Sequence, residues 1–158
     1  MKLIQLFAGT VLLLSGCTPK AQNIELLINE NQDMKKAIST EKAPAAIGPY
    51  SQAIEVNGFV YASGQLPIDP ATGQFPDGGI KEQTRQSILN AQAILESEGL
   101  TLANVVKTTV FLADMDDFAA MNEVYASFFQ APYPARSAVA VKALPKGAMV
   151  EIECIAMK

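Results

Sequence analysis

Tyr133-Pro134-Ala135-Arg136-Ser137-Ala138-Val139-Ala140-Val141, then a Leu144-Pro145-Lys146-Gly147 turn, then Met149-Val150-Glu151-Ile152-Glu153-Cys154-Ile155-Ala156-Met157 make up the last part of the chain. Both runs are rich in Val, Ile and Ala and bounded by Pro and Gly, which predicts two strands joined across a short turn. Their nearly continuous apolar character predicts strands covered on both faces. Arg136, Glu151 and Glu153 stand out against that background, because a charge taken out of water needs a partner. Alternation along a strand puts Glu151 and Glu153 on one face and Ile152 and Cys154 on the other. Arg136 either pairs with one of these carboxylates or holds a carboxylate that arrives from outside; the residue types alone leave both readings open.

Upstream, Ala37 to Thr40 is a short strand candidate before Pro44 and the Gly48-Pro49 turn. Tyr50 to Val56 and Phe59 to Gln65 flank Asn57-Gly58, the strongest short hairpin signal. The Pro- and Gly-rich stretch from Leu66 to Gly79 reads as an exposed loop. Ile80, Ile88, Leu89, Ala91, Ile94 and Leu95 fall at helical spacings, so Ile80 to Glu98 is an amphipathic helix ended by Gly99. Val105 to Leu112 is a strand by its β-branched density. Asp116 and Asp117 offer an N-cap for a second helix to Phe129, with Phe118, Met121, Val124, Tyr125 and Phe128 buried, and Pro132 and Pro134 forbid its continuation. Strands, helix, strand, helix and two strands give an α+β layer with both helices on one face of about six strands. The other face would be an apolar patch in a monomer, so a closed homo-oligomer is expected.

The 158 residues are 49% hydrophobic and 18% charged, enough for one domain with a substantial core. A net charge of -4 and a pI of about 4.8 disfavour nucleic acid as a partner, since phosphate binding needs a basic surface. Histidine is absent, which removes Ser-His-Asp and Cys-His nucleophiles, His-based metal sites and the usual general base. The two cysteines, Cys17 and Cys154, are too few and too far apart for a zinc motif.

Residues 1–17 read as a lipoprotein signal peptide. Lys2 precedes an apolar run from Leu3 to Leu14, too short for a span of roughly 20 residues. It ends in Leu14-Ser15-Gly16-Cys17, which resembles the bacterial lipobox, with lipidation at Cys17. Acyl chains there would anchor the protein in a membrane facing the periplasm, with the outer membrane expected because Thr18, not Asp, follows the cysteine. Residues 18–34 are a polar linker with one apolar patch, Ile24 to Ile28, and the domain occupies 35–158. A start at Met34 would yield a cytoplasmic form.

Pro134-Ala135-Arg136-Ser137 with Val150-Glu151-Ile152 resembles the signature of the RidA, or YjgF-like, family of reactive intermediate deaminases. Ala43 through Gln52, Ser63-Gly64-Gln65, Lys107 through Phe111, and Asn122 with Tyr125, Phe128 and Phe129 extend the likeness over residues 35 to 158. The resemblance implies a chorismate-mutase-like α+β subunit, a six-stranded mixed sheet with two helices on one face, assembled as a homotrimer with active sites between subunits. It further implies hydrolysis of 2-iminobutanoate and 2-iminopropanoate to 2-oxo acids and ammonia without metal or organic cofactor.

On that reading Arg136 anchors the substrate carboxylate, which a guanidinium fork matches bidentately. Glu151 orients and deprotonates the attacking water. Tyr50 and Ser63 line the cleft, or are a half-buried tyrosine and a strand serine. Gly64 lets the backbone approach the substrate, or forms a bulge. Asn122 reaches into the neighbouring cleft, or is a solvated helical residue. Ala138 offers its backbone N–H beside the carboxylate and departs from the Cys of many family members. Glu153 is expected at the surface or a subunit contact, and Cys154 as a small buried hydrophobe. Two other functions compete: a non-catalytic module that binds small carboxylates at the cell envelope, and a ribonuclease, disfavoured by the acidic pI and missing histidines.

Overall fold

Asn57 and Gly58 both take positive φ, 52° and 78°, the backbone that a two-residue hairpin matched to strand twist demands. In this computed structural model, which describes residues 35–158, the pair joins β2 (Ala53–Val56) to β3 (Phe59–Gln65), with Val56 opposite Phe59. β1 (Lys36–Ile38) lies antiparallel to β2. Regular strand begins at Ala53 and not at Tyr50, because buried Gln52 ties down the preceding loop. Its amide donates to the Thr40, Ala43 and Pro44 carbonyls and its oxygen accepts from the Thr40 N–H.

Helix α1 (Ile80–Glu96) packs on β3 and β6 and buries Ile80, Ile88, Ala91, Ile94 and Leu95. Gly99, at φ 73°, lets the chain turn away, with the Leu100 N–H returning to the Leu95 carbonyl. Leu89, expected in the apolar stripe, is 41% exposed, since it follows Ile88 by one residue and so leaves the helix on a different side. β4 (Val105–Leu112) has the predicted bounds. Asp114, not Asp116 or Asp117, makes the capping bond, accepting from the Asp116 N–H at 3.0 Å and opening a 3-10 turn that runs into α2 (Phe118–Phe128).

β5 (Ala135–Ala140) and β6 (Val150–Met157) correct the expectation of two neighbouring strands. The sheet order is β1-β2-β3-β6-β4-β5, so β4 lies between them. β4 is antiparallel to β6 and parallel to β5, the only parallel pair in this sheet. Parallel neighbours need a crossover, and α2 supplies it. The link from β5 to β6 straddles the end of β4, with Val141 N–H bonded to the Leu112 carbonyl and Ala113 N–H to the Met149 carbonyl.

Nor is β6 covered on both faces. Val150, Ile152, Cys154 and Ala156 are buried on the helix side, while Glu151, Glu153, Ile155 and Met157 are on the other side and less buried. Each fully buried Val or Ile contributes roughly 1.5–3 kcal/mol, so the helix face holds the core. The opposite face keeps apolar surface open, with Tyr61 45% and Val139 46% exposed. The fold is the expected α+β layer. Cys17, the linker 18–34 and the start at Met34 lie outside the described residues.

Candidate active site

Arg136 sits on β5 opposite Thr108 of β4. Thr108 is fully buried and its hydroxyl is 2.8 Å from the Tyr125 phenol of α2, which places the Arg136 side chain on the helix face. The guanidinium carbon stands 4.4 Å over the Tyr125 ring and 5.7 Å over Phe118, and one Nη2 donates to the Asn122 amide oxygen at 2.7 Å. Among the described residues no carboxylate pairs with Arg136. The internal ion pair with Glu151 or Glu153 is therefore not formed. Asn122 is a partner of Arg136 within the same chain. Ala138 follows on the same face, half-buried opposite Val110.

Glu151 lies between core residues Val150 and Ile152 and leaves β6 on the opposite face. Its carboxylate is packed against Gly64, where an added Cβ would overlap it, with the carboxyl carbon at 2.8 Å. Gly64 thus makes room for a side chain of the same chain. It sits in an irregularity of β3: Ala62 faces Cys154 and Gln65 faces Ile152, so β3 advances one residue more than its partner. Ser63 shares the irregularity and donates its hydroxyl to the Ser51 carbonyl at 2.7 Å, leaving its oxygen lone pairs as the free capacity. Burial foremost, with a smaller effect of the Glu153 charge, raises the Glu151 pKa above the ordinary glutamate value.

Tyr50 is 51% exposed and lines, with Gly64, a groove of about 830 Å³ whose walls include Ile47, Leu66, Ile68 and Lys146. Neither Arg136 nor Glu151 lines that groove. Within the chain, then, Glu151 meets Gly64, with Ser63 next to Gly64 and Tyr50 on the groove that Gly64 also lines, while Arg136, Asn122 and Ala138 lie on the helix side of the sheet. Glu153 is exposed beside Glu151. Cys154 is buried and free, its thiol pushed up to about 12 by burial and the Glu153 charge. Among the described residues no group of three or more His, Cys, Asp or Glu could hold a metal ion.

The aromatic seat of Arg136 is the feature that residue spacing did not disclose. Tyr125 and Phe118 read equally well as core positions of α2, and only the parallel pairing of β4 with β5 brings the arginine over them.

The family profile described as Endoribonuclease L-PSP matches residues 40–158. A RutC family protein of Pyrococcus horikoshii is 56% identical over 125 residues, 79% of this chain and 99% of the relative. The 2-iminobutanoate/2-iminopropanoate deaminase of mouse is 53% identical over 125 residues, 79% of this chain and 93% of the relative. The crystal structure of Escherichia coli TdcF with bound serine superposes with a TM-score of 0.75 at 46% identity, covering 78% of this chain and 98% of that one. The chain belongs to the Endoribonuclease L-PSP family, the RidA or YjgF-like proteins.

Proposed function

We propose that the protein hydrolyses 2-imino acids such as 2-iminobutanoate and 2-iminopropanoate to 2-oxo acids and ammonia, in sites shared between the subunits of a homotrimer. The observation that carries this reading is a guanidinium held by Asn122 and Tyr125 with no carboxylate partner among the described residues. The substrate carboxylate is the bidentate partner of Arg136. Relatives at about half identity bear the name of this deaminase, and the serine bound to TdcF is itself an α-carboxylate.

The chemistry then needs one base. Glu151, ionised, takes a proton from water as the water oxygen bonds to the carbon of the protonated imine, whose C=N π pair becomes the amine lone pair of the carbinolamine. Glu151 gives that proton to the amine nitrogen and takes the hydroxyl proton as C=O forms and the C–N bond breaks; it then passes this last proton to the departing ammonia, which leaves as ammonium, and the 2-oxo acid remains. Atoms and charge balance with water as the only co-reactant.

Arg136 and Glu151 leave opposite faces of one sheet, with β4 between their strands. At about 4.8 Å per strand and 3.3 Å per residue their Cα atoms lie roughly 14 Å apart, so one small substrate meets both only across a contact between two copies. The open apolar sheet face, with Tyr61 and Val139, is the surface such a contact would cover. Closed cyclic symmetry makes every such site equivalent.

The test is semicarbazide-competed hydrolysis of freshly generated 2-iminopropanoate. Rapid pyruvate formation that Arg136→Ala and Glu151→Gln both lose is expected. A folded trimer that gives no acceleration would overturn the reading in favour of a carboxylate-binding module.

We further infer that residues 1–17 act as a lipoprotein signal, with Cys17 carrying the acyl chains and the domain facing the periplasm from the outer membrane. The support is the ordered run Lys2, Leu3 to Leu14, Ser15-Gly16-Cys17. Metabolic labelling with an alkynyl fatty acid should tag the wild type and not Cys17→Ser; an untagged wild type excludes the anchor. A second, soluble cytoplasmic band in fractionated cells would reveal initiation at Met34, and a single lipidated band would exclude it.

A further inference from the structure

We propose that Tyr125 is a positioning residue for Arg136, a ring platform that fixes the guanidinium in the pose in which it receives the substrate carboxylate. This rests on the reading of Arg136 as the carboxylate anchor. Arg136 stands 4.4 Å over the Tyr125 centroid, well within the distance at which a cation is drawn to a ring face. The ring is itself immobilised on two sides. Phe129 stacks on it at 4.3 Å and 26°, and its hydroxyl is paired with fully buried Thr108 at 2.8 Å.

The arrangement closes on itself. Thr108 is the β4 residue directly opposite Arg136, so the strand position that carries the arginine also carries the hydroxyl that pins its platform. Burial raises the Tyr125 phenol above its ordinary value, with the Thr108 bond and the Arg136 charge acting the other way. The ring stays neutral at physiological pH. Asn122 takes one guanidinium N–H, and of the five donors of an arginine the others have no partner on the helix face among the described residues. A flexible arginine in water would have to be ordered by each substrate; here the ordering precedes binding, which lowers the cost of association.

The variants are Tyr125→Leu, which removes the ring, and Tyr125→Phe, which removes only the tie to Thr108. Tyr125→Leu should raise KM for the imino acid about tenfold, the order of a desolvated cation–π contact, with kcat changed less than about threefold. The affinity for 2-oxobutanoate, measured by calorimetry, should fall by the same factor. Tyr125→Phe should stay within about threefold of wild type in both, because the platform remains.

Nitrogen-15 NMR of the wild-type protein supplies a readout that does not depend on turnover. The Arg136 Nε–H signal should be shifted upfield by the ring and slow to exchange. A random-coil, fast-exchanging Nε–H signal, or a folded Tyr125→Leu trimer with unchanged KM and unchanged 2-oxobutanoate affinity, overturns the proposal. If Tyr125→Leu does not fold, the NMR result decides. If the wild type proves inactive on imines yet binds 2-oxobutanoate, the deaminase reading fails while the Tyr125 comparison still stands.

Discussion

The Arg136 guanidinium and the Glu151 carboxylate leave the sheet from opposite faces, one over the Tyr125 ring and the other against Gly64. That separation follows from strand order, because β4 comes between β5 and β6 and each residue's parity along its strand sets its side. The chain therefore presents two separate groups of candidate residues, each organised by its own neighbours.

Asn122→Ala removes the 2.7 Å bond to the guanidinium without touching the core. KM should rise by about three- to tenfold, since a hydrogen bond to a charged group is worth about 1.5–3 kcal/mol and the platform compensates in part. Stopped-flow turnover against substrate concentration separates this from an effect on kcat.

Gly64→Ala would drive a Cβ into the Glu151 carboxyl group. The side chain can swing away, so the melting temperature should change little, by the equivalent of about 1 kcal/mol. The displaced base should cost about 10²-fold in kcat. Equal losses in stability and activity would show instead that Gly64 matters only to the β3 backbone.

The rate should fall in acid as Glu151 takes up a proton, with a midpoint above the ordinary glutamate value because burial, and then Glu153, raise its pKa. Glu153→Gln should move that midpoint to lower pH. A carboxyl whose folded pKa is raised binds more protons folded than unfolded, so its contribution to stability is complete below the unfolded pKa and lost as pH rises through the folded one. At neutral pH Glu151→Gln should therefore melt higher than wild type while losing about 10²–10⁴-fold in rate. Calorimetry and the pH–rate profile check the two halves separately.

Cys154, buried with its thiol pushed up to about 12, should resist iodoacetamide, and treated enzyme should keep its activity. Ala138→Cys should keep kcat/KM within about threefold of wild type, because the contact proposed there is made by the backbone. Mass spectrometry should then find one alkylated site at position 138.

Much of the frame was legible because its signals are local. Asn57-Gly58 announced the hairpin, Val105 to Leu112 its strand, and the alternation of Glu151, Ile152, Glu153 and Cys154 the two faces of β6. What stayed hidden depends on pairing between distant segments. The apolar runs of β5 and β6 look like doubly covered neighbours because Ile155, Met157 and Val139 add apolar residues on the face away from the helices. Insertion of β4 between them, and with it the seat of Arg136 on Tyr125, carries no signature in the spacing of either segment. Gly64 announced a close approach, but whether to substrate or to Glu151 needed the register.

The composite site is tested most directly by mixing. Arg136→Ala and Glu151→Gln are each made as trimers, unfolded together in equal amounts, refolded and assayed on 2-iminopropanoate. A site that takes Arg136 from one subunit and Glu151 from the next is intact in about a quarter of random interfaces, so the mixture should recover about a quarter of wild-type activity. A mixture no more active than its two parents, with subunit exchange verified by mass, would place both residues in one subunit's site and contradict the shared cleft.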